Sequence, residues 1–384
     1  MTHANSASPF LAAVAELVKR SLAPQTQAID QEGLYPATFM RELGALGGFG
    51  TVVPTRFGGQ GGRLAEQIDV TRLVAAECGS TAFLVWCQST CAWYLQHAAN
   101  AAVRERYLAP VAKGELLAGT GMSNTVKHLA GIEKIHLRAR REGNAYVING
   151  SLPWVSNIGE DHLAIVAASV EGEGYIMFAV HGSTQGLGLR PCLEFSGLEG
   201  TRTMGMQFRD VLVPADDVLA HPGQFAAYVK RIKPGFVTGQ TGMAFGIVEG
   251  CLAIMRESNQ NTGHVNIYLD DQTDDLAAEL DGLRRQAAAI ADETQSGETP
   301  LLPVLKLRAA ASELTLKAAN SAVLHAGAKG YLMLHPAQRR MREAIFVAIV
   351  TPALKHLRKE INDIEQGTTQ LAQRQDSLRP HALH

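Results

Sequence analysis

The hydrophobic period of this chain changes twice, and that limits the folds open to it. From Pro9 to about Gly114 apolar residues recur at three- and four-residue spacing, as in Phe10, Val14, Leu17 and Val18 and again from Ile68 through Leu73 and Val74, which predicts helices. From Leu117 to about Ala220 the runs are short, apolar or alternating, as in YVING, HLAIVAAS, YIMFAVHG and MGMQFRDVLV, and are bounded by Gly, Asn and charged turns. This predicts a β-domain of roughly a hundred residues, the usual size of one folding unit. Beyond Pro222 long helical patterns return: Leu276, Leu280 and Leu283 share a face, and two further stretches run from Leu302 to Ala328 and from Pro336 to about Gln366. Helices of this length pack as a bundle. The expected fold class is therefore α+β, with a helical domain over 1–117, a middle β-domain over 118–221 and a C-terminal helical bundle over 222–384.

Composition narrows the function. The 384 residues, 46% of them hydrophobic, are enough for two or three packed domains. Thirty-five basic against 37 acidic residues leave no positive excess to gather phosphates, so nucleic acid is not expected as a partner. The first residues lack a charged segment ahead of a long apolar one, and no uninterrupted apolar run reaches bilayer length. A cytoplasmic protein without membrane contact is expected. The five cysteines (Cys78, Cys87, Cys91, Cys192, Cys251) show neither CxxC spacing nor a Cys/His cluster, so reduced, mostly buried thiols are expected and no metal.

Several motifs carry more. RFGGQGG, at Arg56–Gly62, lacks the preceding strand and following Lys-Ser/Thr of a phosphate loop and reads as a turn. Phe83–Tyr94 (FLVWCQSTCAWY) reads as a buried helix with two packed indoles, and Cys91 has no activating neighbour in sequence. Glu249 and Glu257 share a helix face as solvated or ion-paired carboxylates. The segments LGALGGFGTVVPTRFGGQGG, RYLAPVAKGELLAGTGMS, NAYVINGSLPWVS, GLEGTRTMGMQFRDVLV and HAGAKGYLMLHPAQRRMREA occur in the order found in one family. Together they resemble the acyl-CoA dehydrogenase superfamily over nearly the whole chain. The resemblance implies that family's three-domain fold, ending in a four-helix bundle, and a bound FAD.

The same resemblance assigns cofactor residues. Met122 and Ser123 match the backbone amide and hydroxyl that the family places at the flavin's reactive edge, on a loop ending the first β-strand; Trp154 and Ser156 match the Trp and Ser/Thr beside the isoalloxazine. A flat aromatic ring needs flat or apolar walls, and its polar edge needs a few donors. Without the resemblance, Trp154 reads as a core residue and Ser156 as a turn former.

The chain also departs from the pattern. The family's catalytic Glu, which removes a proton α to a thioester carbonyl, aligns with Thr351, whose hydroxyl is no base near neutral pH. A second family location for the base falls near Phe236. The Arg-x-x-Phe-Gly segment that holds the ADP half of FAD is replaced by Asn259–Val265, a Gln of that site aligns with Leu324, and a glycine pair becomes Gly327-Ala328, so FMN is a second possible cofactor. In the loop after the first strand, Lys127 and His128 stand where the family has acidic and small residues. They are the catalytic candidates, Lys127 to neutralise a substrate carboxylate or reduced flavin and His128 to exchange protons; the competing reading is a solvated Lys and a hydrogen-bonded loop His. Arg342 and Glu343 replace an Arg-Asp pair and read as structural.

Three functions remain open. The first is an FAD-dependent oxidoreductase acting on a CoA thioester or related small acid, with its base supplied from elsewhere and an electron acceptor as partner. The second is a two-component flavin monooxygenase on the same scaffold, served by a flavin reductase and needing no α-proton base. The third is a catalytically lapsed binding protein. The family habit of building flavin sites across subunits implies a homodimer or homotetramer.

Overall fold

A computed structural model describes residues 8–297 and 299–368. Six helices come first: α1 (Pro9–Leu17), α2 (Thr26–Gln31), α3 (Ala37–Ala45), α4 (Leu64–Glu77), α5 (Gly79–His97) and α6 (Ala101–Ala112). The middle holds β1 (Ala118–Thr120), α7 (Ser123–Leu129), β2 (Arg138–Glu142), β3 (Ala145–Val155), β4 (Leu163–Val170), β5 (Gly174–His181), β6 (Leu187–Pro191), β7 (Met204–Pro214) and β8 (Val218–Ala220). The last helices are α8 (Pro222–Gly239), α9 (Thr241–Asn266), α10 (Thr273–Ser296), α11 (Leu301–Ala326), α12 (Pro336–Ile349) and α13 (Leu354–Glu365).

The sheet runs β6-β7-β3-β2-β4-β5-β8, and β1 adds to it by pairing in parallel with β4. Successive side chains of a strand point to opposite faces, and in β4 both faces are covered. Leu163, Ile165 and Ala167 join the core shared with the helices, while Ala164, Val166 and Ala168 join Ile148, Phe178 and Phe208 in a separate cluster between strands. This explains why HLAIVAAS is continuously apolar rather than alternating.

Helix α5 is buried on every side from Gly79 to Leu95, consistent with the apolar and small residues on all its faces. Its indoles are packed in the core as expected, Trp86 Nε1 donating to Phe236 O at 3.3 Å and Trp93 Nε1 to Ile232 O at 3.1 Å. Helix α9 crosses α4 at close range because Gly242 and Gly246 lack side chains there. A Cβ on Gly246 would lie 2.2 Å from Arg72 O and 2.5 Å from Ala75 Cβ. Gly246→Ala is expected to lower unfolding free energy by about 1–3 kcal/mol, because the clash is with backbone and cannot relax by a rotamer change. Chemical denaturation would measure it, and an unchanged midpoint would refute the close approach.

One expectation needs correction. The stretch from Pro336 to Gln366 is not one helix: it breaks between α12 and α13, at Val350–Ala353. Pro352 has no N–H to continue the ladder and disfavours helical backbone at Thr351. No uninterrupted apolar run of bilayer length appears, but within Pro222–Asn266 one 18-residue window reaches the mean hydropathy of a spanning helix. That window is 78% buried within the protein, which makes α8 and α9 core helices.

Candidate functional site

The end of β1 and the end of β3 lie against each other. Gly119 permits this: a Cβ there would sit 2.3 Å from Ser156 O. Just beyond, Met122 caps α7 and Ser123 begins it, so the expected loop is a helix whose first-turn N–H groups have no intrahelical acceptor. Ser123 Oγ lies 2.7 Å from Thr351 Oγ1, 228 residues away in sequence. The alignment that put Thr351 at the base position therefore has a spatial counterpart.

The break holding Thr351 is tied down from below. Gln240 Nε2 donates to Thr351 O at 2.9 Å, and Arg308 donates to Gln240 Oε1 at 2.9 Å and to Val347 O, near the C-terminus of α12, at 2.6 Å. Arg308 is fully buried, and burial pushes its guanidinium down to about 10. Its listening partners are neutral oxygens, including Ser312 Oγ, and the C-terminal carbonyls of α12 favour a cation there.

On the β3 side a register shift between Leu152 and Val155 re-aims the strand, and Trp154 is 62% exposed. The simple core reading of Trp154 thus fails, while an outward flat face suits a ring-binding role. Ser156 Oγ shares a 2.5 Å hydrogen bond with Thr203 Oγ1, which in turn lies 2.8 Å from Thr201 Oγ1. The next residue, Asn157, adopts left-handed backbone at φ 57°. Its Nδ2 donates to Ala118 O at 2.8 Å and to Gln88 Oε1 at 3.2 Å, and its Oδ1 accepts from Tyr35 Oη at 2.6 Å. Burial pushes the Tyr35 phenol up, so it remains a donor. Trp154→Ala is expected to weaken flavin retention roughly fivefold, from the loss of about 1 kcal/mol of ring contact and apolar area. Undiminished flavin occupancy, measured by absorbance after dialysis, would remove Trp154 from the site.

Between α5, α7 and α8 lies a narrow apolar cavity of about 20 Å³, lined by Tyr94, Met122, Val126, Leu129, Ile232 and Phe236. Its one charged wall residue is Lys233, whose ammonium is ion-paired with Glu360 of α13. Phe236, at the second family location for the base, is buried and tilted against Trp86 with ring centroids 5.1 Å apart.

Lys127 and His128 do not line this cavity. Lys127 is ion-paired rather than solvated, its Nζ 2.8 Å from Glu133 Oε2; that ammonium and the amide of Asn124 hold the Glu133 carboxyl below its usual range against the opposing effect of burial. His128 sits between Glu133 O, 3.0 Å from Nδ1, and Tyr175 Oη, 2.8 Å from Nε2. Arg342 pairs with Asp30 at 2.7 Å and Glu343 with Arg340 at 2.8 Å, both structural roles. Glu249 is held by Arg72 and Glu257 is exposed. Cys78, Cys87, Cys91 and Cys251 are buried, and burial pushes the Cys91 thiol well up, away from nucleophilic use. Among the described residues no group of His, Cys, Asp and Glu is placed to hold a metal.

The residues at the ADP-half positions turn to one another. Asn259 Oδ1 accepts from Asn266 Nδ2 at 2.7 Å and lies 3.1 Å from His325 Nδ1, while Leu324 is exposed. A flavin ring fits the residues around Trp154, Ser156 and Ser123; the dinucleotide half finds no guanidinium in Asn259–Val265.

Sequence reasoning missed Gln88, Asn157, Gln240, Arg308, Lys233 and Glu360. Gln88 did carry a signal, as the long polar side chain in the middle of a helix otherwise built of apolar and small residues.

Residues 6–115 match the family model "Acyl-CoA dehydrogenase, N-terminal domain". The probable acyl-CoA dehydrogenase YngJ of Bacillus subtilis is 26% identical over 88% of this chain and 91% of its own length. Among solved structures, a glutaryl-coenzyme A dehydrogenase in complex with glutaryl-CoA has a TM-score of 0.86 at 23% identity, covering 94% of both chains. Dibenzothiophene monooxygenase from Paenibacillus sp. A11-2 has a TM-score of 0.79 at 16% identity, covering 93% of this chain and 97% of its own. At those identities the two structures share the fold. Over most of its length the chain is thus similar to acyl-CoA dehydrogenases, and its residues 6–115 match that family's N-terminal domain.

Proposed function

We propose that the protein is a flavin-dependent oxidoreductase that takes FAD and oxidises a CoA thioester or related activated acid. The observation that carries this reading is the 2.7 Å contact between Ser123 and Thr351, where the β1 end, the β3 end beside it and the α12–α13 break meet next to an apolar cavity. Trp154 supplies a flat wall, the amide of Met122 and the hydroxyls of Ser123 and Ser156 orient a polar ring edge, and the cavity walls exclude water. When bound, the flavin supplies a two-electron acceptor. Thr351 holds no proton for the reaction, so the base comes from elsewhere; His128 of α7, fixed between Glu133 and Tyr175, is the imidazole nearest this end of the sheet in sequence. A separate electron acceptor completes the cycle. The exposed run Tyr331, Leu332, Met333 and Leu334 supports a homo-oligomer, dimer or tetramer.

A second reading, a two-component monooxygenase fed by a flavin reductase, is favoured by the hydroxyl at Thr351 and by the self-paired Asn259 and His325. An absorbance spectrum with FAD or FMN, followed by anaerobic titration with acyl-CoAs, separates the readings. Bleaching by one acyl-CoA supports the first. A flavin that binds and ignores all of them overturns it in favour of the second, and a protein that takes up no flavin leaves a binding scaffold.

A further inference from the structure

Arg308 and Arg340 both bury their guanidinium groups in the core, and the fold supplies a counter-ion to one of them. Arg340 faces the buried carboxylate of Glu343 at 2.8 Å. Arg308, on α11, meets neutral oxygens: Gln240 Oε1 at 2.9 Å, Val347 O at 2.6 Å and the hydroxyl of Ser312. Among the described residues no carboxylate stands within ion-pairing distance of it, and burial is what acts on its charge. The carbonyls ending α12 answer part of that charge, since a helix C-terminus carries about half a unit of negative charge. The rest is uncompensated, and a buried charge without a partner is among the costliest features a core can hold. A neutral donor would hold the same oxygens without that cost, so the cation needs a reason other than tethering.

The hydrogen bonds of Arg308 lead to the candidate ring site. Gln240, at the α8–α9 junction, accepts from Arg308 and donates to Thr351 O at 2.9 Å; the Thr351 hydroxyl lies 2.7 Å from that of Ser123 at the start of α7. Gln240 and Thr351 are buried and Ser123 is half-buried, so little water screens the charge along this path. Resting on the flavin reading above, we infer that Arg308 is a positioning residue that biases the site toward a negatively charged flavin ring, the reduced ring supplying the counter-ion that the fold withholds. Two electrons and one proton, from the substrate or an external reductant, convert the neutral oxidised ring into one carrying a single negative charge. The oxidised ring leaves Arg308 uncompensated and the reduced ring answers it.

The test compares two affinities and needs no turnover. Binding of oxidised FAD, and anaerobically of dithionite-reduced FAD, is followed by fluorescence at mildly alkaline pH. The wild type should hold reduced FAD at least about tenfold more tightly than oxidised FAD, which raises the two-electron potential of the bound flavin by about 30 mV. Ser312→Asp is the decisive variant. It sets a carboxylate beside the guanidinium, one turn along the same helix, and leaves the contacts of Arg308 to Gln240 and of Gln240 to Thr351 in place. Its preference for reduced FAD should fall to near unity while oxidised FAD binds as before. Arg308→Met should lose the preference in the same way, and Arg308→Lys, which keeps the charge, should retain most of it. If Arg308→Met does not fold, the other two variants carry the test. Equal binding of the two redox states by the wild type, or an unchanged ratio in Ser312→Asp, would overturn the inference and leave Arg308 a tether for the α12–α13 break. If the wild type binds neither form, the flavin reading itself has failed and the inference falls with it.

Discussion

Thr351→Glu is expected to speed anaerobic flavin reduction by simple acyl-CoA thioesters by roughly a hundred- to ten-thousandfold, the range a positioned general base contributes. The geometry makes the prediction specific. Thr351 Oγ1 touches Ser123 Oγ at 2.7 Å, so a side chain at this position already points at the β1–α7 junction matched to the ring's reactive edge. The backbone that carries it is fixed independently, by the Gln240 amide on Thr351 O and by Arg308 behind it, so the substitution changes the side chain and not the support. What the wild type lacks at this point is a group that can hold a proton, and a carboxylate supplies one. Thr351→Gln is the matched control, equal in size but unable to accept the proton, and should gain nothing. If both variants retain flavin and neither responds faster to any acyl-CoA by stopped-flow absorbance, the thioester does not sit where the alignment places it, and the monooxygenase reading gains.

Glu343→Ala is expected to lower unfolding free energy by about 3–5 kcal/mol, the cost of removing one partner of a buried ion pair. Glu343 Oε2 accepts from Arg340 Nη1 at 2.8 Å, and Oε1 accepts from the N–H of Gly79 at 2.8 Å. The terminal nitrogens of Arg340 also donate to Ala75 O, at 2.9 Å, and to Ala76 O and Glu77 O, the last turn of α4. One carboxylate thus joins α12, the end of α4 and the start of α5. Both side chains are buried, so its loss strands a guanidinium and an amide without water to replace it. Gly79 belongs to the same device: a Cβ there would lie 2.7 Å from Glu343 Cδ. Urea denaturation followed by circular dichroism measures the change. Arg340→Met/Glu343→Leu, which removes both charges, should recover much of it; a double variant as unstable as the single one would show that lost packing, and not the stranded charge, sets the cost.

Periodicity reached the architecture because burial is recorded locally. Each helix or strand has to show its neighbours an apolar face, and spacing of three and four in Phe10–Val18 or a continuous run in His162–Ser169 reports that face without knowledge of what covers it. The turn at Arg56–Gly62 and the buried indoles of α5 were legible for the same reason. The break at Pro352 was marked by a proline, although the apolar pattern continued through it. The helix at Ser123–Leu129 left a weaker trace, since seven residues span barely two turns and polar side chains make up most of it.

The site obeyed different rules. The sequence determined by itself that residue 351 is a threonine, that no guanidinium stands in Asn259–Val265, and that a Trp and a Ser lie two positions apart in one segment. Only the tertiary structure decided that Thr351 meets Ser123, that Asn157 binds Gln88 and Tyr35, that Lys127 is spent on Glu133, and that Glu360 closes on Lys233 at a cavity wall. Most of these partners stand tens to hundreds of residues apart. Their meeting depends on the accumulated geometry of every helix crossing and strand register between them, and a local pattern carries no trace of that sum.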